Sequence, residues 1–157
     1  MFPVAVTQCT LPLFAGVCNS RDLCCHPRKR KRMNGTVLVV DDSAMMRKVI
    51  LRILKMADVD FEIALEAGDG LQALTILRDN RVTLIMCDIN MPTMSGLELL
   101  EKIKEEKLAV GVPIVMVTTE SGEPQVRQAI LAGARGYIRK PFTVEHIKNN
   151  VRPLLPT

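Results

Sequence analysis

Four places in this 157-residue chain set a chemically capable side chain at the end of a short apolar run. Asp41-Asp42 follow TVLVV, Asp88 follows LIMC, Thr118-Thr119 follow PIVMV, and Lys140-Pro141 come just after GYI. Three carboxylates brought into one cleft repel one another, and at least one should have a raised pKa unless a cation sits among them. Hard oxygen donors of this kind suit Mg²⁺, which takes one or two protein carboxylates and fills its remaining positions with water or phosphate oxygens. A lysine and a hydroxyl on the opposite lip would hold the oxygens of a phosphoryl group. Phosphoryl transfer to a carboxylate uses all of these parts, with Asp88 as nucleophile and the metal and Lys140 balancing charge.

The elements that must position these residues are legible as five alternations. Thr36–Val40 is a β-branched apolar strand, followed by Met46, Ile50, Ile53, Leu54 and Ala57 at helical spacing, with Arg47, Lys48, Arg52 and Lys55 facing outward. Phe61–Ala67 is a second, more alternating strand, and Leu71, Leu74 and Leu77 mark a helix from Asp69 to Asn80. Leu84–Cys87 is a third strand, with a helix carrying Leu97, Leu100 and Ile103 and ending near Lys107. Pro113–Val117, a helix over Pro124–Leu131, a short strand at Gly136–Ile138 and a last helix from Thr143 to about Leu155 complete the series. Near-continuous apolar strands alternating with helices predict an α/β fold with a parallel sheet covered on both faces. Such sheets bind ligands beyond the carboxyl ends of their strands, which is where the four sets of residues lie.

Composition narrows the possibilities. Apolar residues make up 48% and charged residues 24%, enough to bury a core, and no apolar run is long enough to span a bilayer. Aromatics are only 3%, which weakens any base-stacking surface. The net charge of +4 is uneven: residues 1–33 hold 6 of the 21 basic residues and 1 of the 17 acids, leaving 15 against 16. Cys9, Cys18, Cys24 and Cys25 also lie there, and only Cys87 beyond, so the main body carries no disulfide framework and suits a reducing cytoplasm. Cys24-Cys25-His26 lacks paired C-x-x-C spacing and is not read as a zinc site. Residues 1–33 are expected to be a basic, disordered extension, or an artefact of the assigned start if Met33 is the true initiator, with the domain spanning 34–157.

The motifs VLVVDDS (37–43), LIMCDINMPTMSGLELL (84–100), PIVMVTTE (113–120) and GARGYIRKPFT (133–143), in this order and spacing, resemble those of response-regulator receiver domains, in particular the stand-alone CheY type. The resemblance implies a flavodoxin-like (CheY-like) doubly wound, five-stranded parallel sheet of order 2-1-3-4-5. Carried over by position, it implies that Asp88 is phosphorylated, and that Asp41, Asp42, Asp88 and the backbone carbonyl of Asn90 hold Mg²⁺. It gives Thr118 and Lys140 to the phosphoryl group, Tyr137 to the conformational switch, a cis bond to Pro141, and phosphoryl lifetime to Asn90 and Glu120. Thr119 departs from the small residue usual after the hydroxyl, which bears on rates.

Taken singly, these residues have plainer readings: Asp41-Asp42 as helix-start acids, Asp88 as a loop acid before Pro92, Lys140 as a surface lysine, Tyr137 as a core-edge aromatic. Their recurrence at four strand ends favours the functional reading. Gly68-Asp69-Gly70-Leu71-Gln72-Ala73 matches a dinucleotide fingerprint, but Asp69 would face the pyrophosphate, and a flavin phosphate would meet Asp41-Asp42. The expected function is that of a single-domain response regulator, phosphorylated by a sensor histidine kinase, catalysing only its own phosphorylation and dephosphorylation. Because the last helix runs almost to Thr157, output is expected through partner binding: a flagellar motor switch, or a phosphotransfer protein if the chain is a carrier in a multistep relay. DNA binding would require Arg28–Arg32 to be an ordered patch and is not expected.

Overall fold

The computed structural model describes residues 35–119 and 122–155. The expectations for residues 1–33 and for Glu120 fall outside them. The sheet consists of β1 (Thr36–Val40), β2 (Ile63–Ala67), β3 (Leu84–Asp88), β4 (Ile114–Thr118) and β5 (Gly136–Arg139), all parallel, in the order β2-β1-β3-β4-β5 expected from the resemblance. Between the strands run α1 (Ala44–Met56), α2 (Gly70–Asp79), α3 (Gly96–Glu105) and α4 (Glu123–Ala132), and α5 (Val144–Val151) follows β5.

The apolar strands are continuous because each feeds two cores. Side chains of a strand alternate in direction, so Val37, Val39, Leu84, Met86, Val115 and Val117 pack on one face with Ile50 and Leu54 of α1 and Ile147 and Val151 of α5. Leu38, Val40, Ile85, Cys87, Ile114 and Met116 pack on the other with Leu74 and Leu77 of α2, Leu99, Leu100 and Ile103 of α3, and Ala129 of α4. Edge strand β2 is covered less completely: it begins at Ile63, which is half exposed, rather than at Phe61.

Helix starts carry their own signals. Ser43, Asp69, Ser95 and Thr143 each accept a backbone N–H with the side chain, Ser95 and Thr143 in reciprocal capping boxes with Glu98 and His146. Helix α4 has no side-chain cap but carries Pro124 in its first turn. Helix α5 is shorter than the sequence predicts, because the chain tightens into a 3₁₀ turn at Arg152–Leu154 around Pro153, which has no N–H to continue the helix. One expectation from helical spacing is corrected: Leu71 is half exposed at the start of α2.

These burials set different costs for similar truncations. Leu54→Ala should cost about 3 kcal/mol and Leu71→Ala under about 1 kcal/mol in urea unfolding midpoints. Equal losses would mean that α1 and α2 present other faces to the sheet.

Candidate functional site

Because the strands are parallel, their carboxyl ends share one edge, and β1 is flanked by β2 on one side and β3 on the other. The chain therefore turns in opposite directions after β1 and β3, which opens a cleft at that edge. Asp41 directly follows β1, Asp88 ends β3, Thr118 ends β4 and Lys140 directly follows β5. Asp41, Asp88 and Thr118 are the buried polar or charged residues among those described, so the sheet's polar burial is concentrated at this one place. Asp42 is exposed at the rim.

One ammonium ties the cleft together. Lys140 Nζ donates to Asp41 Oδ2 at 2.8 Å and to Asp88 Oδ2 at 2.9 Å. Burial raises the Asp88 pKa above the ordinary carboxylate range; the hydrogen bond and charge of Lys140 offset part of this, and the neighbouring Asp41 charge adds to the rise. Burial works against the charge of Lys140 too, yet its bonds to the two carboxylates hold its pKa above the ordinary lysine value. Cys87, buried beside the acids, has its thiol pKa pushed far up by burial and then by Asp88 and Asp41, so it stays an unreactive thiol whose Sγ–H donates to the Asp88 carbonyl at 3.1 Å.

Asp88 Oδ1 is buried and has no hydrogen-bond partner, which is costly for a carboxylate oxygen. Oxygens of Asp41, Asp42 and Asp88 lie within 4.8 Å of one another. A small divalent cation among them would satisfy that oxygen and cancel the repulsion, so the residues present fit Mg²⁺.

The acids are held in place by residues whose role is not visible locally in the sequence. Arg47, expected to face outward, instead folds back: Nη1 donates to the Asp41 carbonyl at 2.8 Å and Nε to Glu66 Oε2 of β2 at 2.8 Å. Asp41 Oδ1 accepts the Ser43 N–H at 2.9 Å, and the Asp41 N–H donates to the Ala67 carbonyl. A signal existed: a cation in the first turn of a helix opposes the helix dipole, so it calls for a nearby partner. Gly96 is the second such residue. Its N–H donates to the Ile89 carbonyl at 2.9 Å, and any Cβ there would collide with the Asp88 carbonyl oxygen.

The other residues singled out from the sequence surround this centre. Thr118 is fully buried, and its carbonyl accepts the Lys140 N–H at 2.7 Å. The Lys140–Pro141 bond is cis. Tyr137 is half-buried on β5 opposite Met116 and packs against the core shared with α2, α3 and α4. Asn90 and Thr119 are exposed. Asp69 caps α2 through the Gln72 N–H at 2.8 Å, so a carboxylate already occupies the helix start that a dinucleotide would need.

The response regulator receiver domain model matches residues 37–152, which include every described residue of the cleft. The chain belongs to that family. Among relatives of this receiver, a chemotaxis protein CheY homolog of Campylobacter jejuni is 43% identical over 122 residues, covering 77% of this chain and 92% of that protein. CheY-3 of Vibrio cholerae is 36% identical over 118 residues, covering 75% and 89%. The structure of Vibrio cholerae CheY4 superposes with a TM-score of 0.67 at 31% identity, covering 77% of this chain and 98% of that one. Among the described residues of the receiver, no helix is long and apolar enough to cross a membrane.

The charge balance has a measurable sign. A carboxyl whose pKa is raised by folding binds its proton more tightly in the folded state, so its ionisation costs stability as pH rises through that pKa. In metal-free buffer at neutral pH, Asp88→Asn should therefore be more stable than wild type by about 1 kcal/mol. The gap should close on acidification towards the ordinary aspartate pKa, as followed by thermal melts across pH. Gly96→Ala should lose on the order of 2–3 kcal/mol in the same assay, because backbone rather than a flexible side chain must give way.

Proposed function

We propose that this receiver is the phosphorylation switch of a chemotaxis pathway, with Asp88 as the phosphoacceptor. The observation that carries the reading is the buried, unpartnered Asp88 Oδ1 next to a lysine-bridged pair of carboxylates. Asp41, Asp42, Asp88 and the Asn90 carbonyl would hold Mg²⁺, which supplies positive charge to the phosphoryl oxygens when bound.

An Asp88 oxygen attacks the phosphorus of a phosphohistidine on a sensor histidine kinase. The new O–P bond forms as the P–N bond breaks, and the imidazole nitrogen leaves with the electron pair and takes up a proton from solvent. The phosphoryl group brings Asp88 from one negative charge to roughly 1.5–2. Lys140 keeps one ammonium against that added charge, and the Thr118 hydroxyl donates to a phosphoryl oxygen. Movement of Thr118 frees space for Tyr137 to turn inward, changing the face formed by α4, β5 and α5. That is a population shift driven by local charge. Helix α4 offers that face the exposed side chains Ile130 and Leu131, suited to docking a protein target.

The target is a flagellar motor switch, in keeping with the chemotaxis names of the relatives, and the protein works in the cytoplasm with its kinase. It acts as an acceptor and switch rather than as a turnover enzyme, with Asn90 and Glu120 setting the lifetime of the phosphoryl group.

Intact mass after incubation with acetyl phosphate and Mg²⁺ tests the chemistry. Wild type should gain one phosphoryl group, Asp88→Asn and metal-free wild type none, and Asp41→Asn should react at least about tenfold more slowly. Lys140→Ala should still accept phosphate but leave Tyr137 fluorescence unchanged. A Lys140→Ala protein with a full Tyr137 response would contradict the switch, and an unmodified wild type would contradict the acceptor.

A further inference from the structure

At the end of the sheet opposite Asp88, the loop from α3 to β4 and the junction of α4 with β5 line an open groove of about 300 Å³. Its wall is apolar, formed chiefly by Leu100, Ile103, Leu108, Val112, Ile114 and Ala132. The loop backbone is left-handed at Lys107, Ala109 and Gly111, with φ of 53, 47 and 81°. Lys107 closes α3: the Leu108 N–H reaches the Ile103 carbonyl at 2.9 Å and the Lys107 N–H reaches that of Lys104 at 3.3 Å. The Val112 N–H then reaches the Ala109 carbonyl at 3.0 Å, a tight turn that lifts Val110 to 81% exposure at the mouth of the cavity. Two non-glycine residues in this conformation cost stability, and the turn they support leaves a large apolar side chain in water.

The rim has one sign of charge. Lys104, Lys107 and Arg135 line the cavity, one each from α3, the loop and the start of β5, and no acid lines it. The acids adjacent in sequence are engaged elsewhere: Glu105 pairs with Lys102 at 2.8 Å, and Glu106 takes a bidentate bond from Arg78 at 3.0 and 2.8 Å. Among the described residues the three rim cations make no ion pair.

We infer that this groove docks an acidic peptide segment of a partner protein, one that places apolar side chains in the cavity and carboxylates against Lys104, Lys107 and Arg135. Three cations on three separate elements match several carboxylates spaced along a chain, whereas an amphiphile such as a fatty acid has one. A nucleic-acid backbone would match the charges but leave the apolar wall unused. The site is independent of phosphate acceptance at Asp88, and its charges set encounter rate and specificity as rim charges do at protein interfaces.

The test is a titration of the full chain, followed by amide chemical shifts, with a short synthetic peptide alternating glutamate and leucine. The same peptide with serine for leucine, the same peptide with glutamine for glutamate, sodium decanoate and a DNA duplex serve as comparisons. The glutamate–leucine peptide should shift Leu108–Val112 and Gly133–Arg135 saturably, more tightly than any comparison. Lys107→Glu and Arg135→Glu should each weaken it roughly tenfold while melting as wild type and accepting phosphate at the wild-type rate. Shifts centred on Lys48 and Arg52 of α1, equal binding of the serine peptide, preference for decanoate or DNA, or no saturable shift would each overturn the inference.

Discussion

The cleft depends on a single ammonium. Two carboxylates taken out of water side by side are unfavourable twice over, through lost hydration and through mutual repulsion. Lys140 Nζ touches both Asp41 and Asp88, which makes that arrangement tolerable in the folded protein. The compensation is incomplete: the Asp88 pKa stays above its ordinary range and Oδ1 stays unpartnered. A site held in this state of unmet demand is primed for a small cation. The same imbalance offers a physical basis for a switch, since adding charge to Asp88 must redistribute the attention of one lysine.

The rest of the fold delivers these groups to one point. Parallel strands buried on both faces put four chain exits on the same edge, so residues 52 and 99 positions apart in sequence share one ammonium. Local devices then fix the exits. Arg47 fastens the turn after β1 to the end of β2, and Gly96 lets the turn after β3 run close against the Asp88 backbone. Neither bonds the Asp88 carboxylate. Both act by limiting where Asp41 and Asp88 can stand, as positioning of charged groups requires.

Much of this was legible in the amino-acid sequence, for identifiable reasons. β1, β3 and β4 face a core on each side and therefore read as unbroken apolar runs, and the residues ending them announced the cleft. Edge strand β2 has less to bury, and its start blurred from Ile63 to Phe61. Pro153 marked the end of α5 more sharply than periodicity did. Leu71 sits at helical spacing but at the margin of its apolar stripe, so spacing alone placed it too deep. The misreading of Arg47 was of another kind: its partner Glu66 lies 19 residues away, a relation that exists only after β1 and β2 pair. The collision that excludes a side chain at position 96 likewise depends on the turn of the chain between Asp88 and α3, not on neighbours in sequence.

The proposed chemistry turns on which carboxylate receives the phosphoryl group. Borohydride reduces an acyl phosphate to an alcohol, turning a phosphorylated aspartate into homoserine that peptide sequencing locates. After reaction of the wild-type protein with acetyl phosphate and Mg²⁺, homoserine should be found at position 88 alone. Homoserine at 41 or 42, or at none of the three, would contradict the assignment of Asp88 as the acceptor around which the cleft is built.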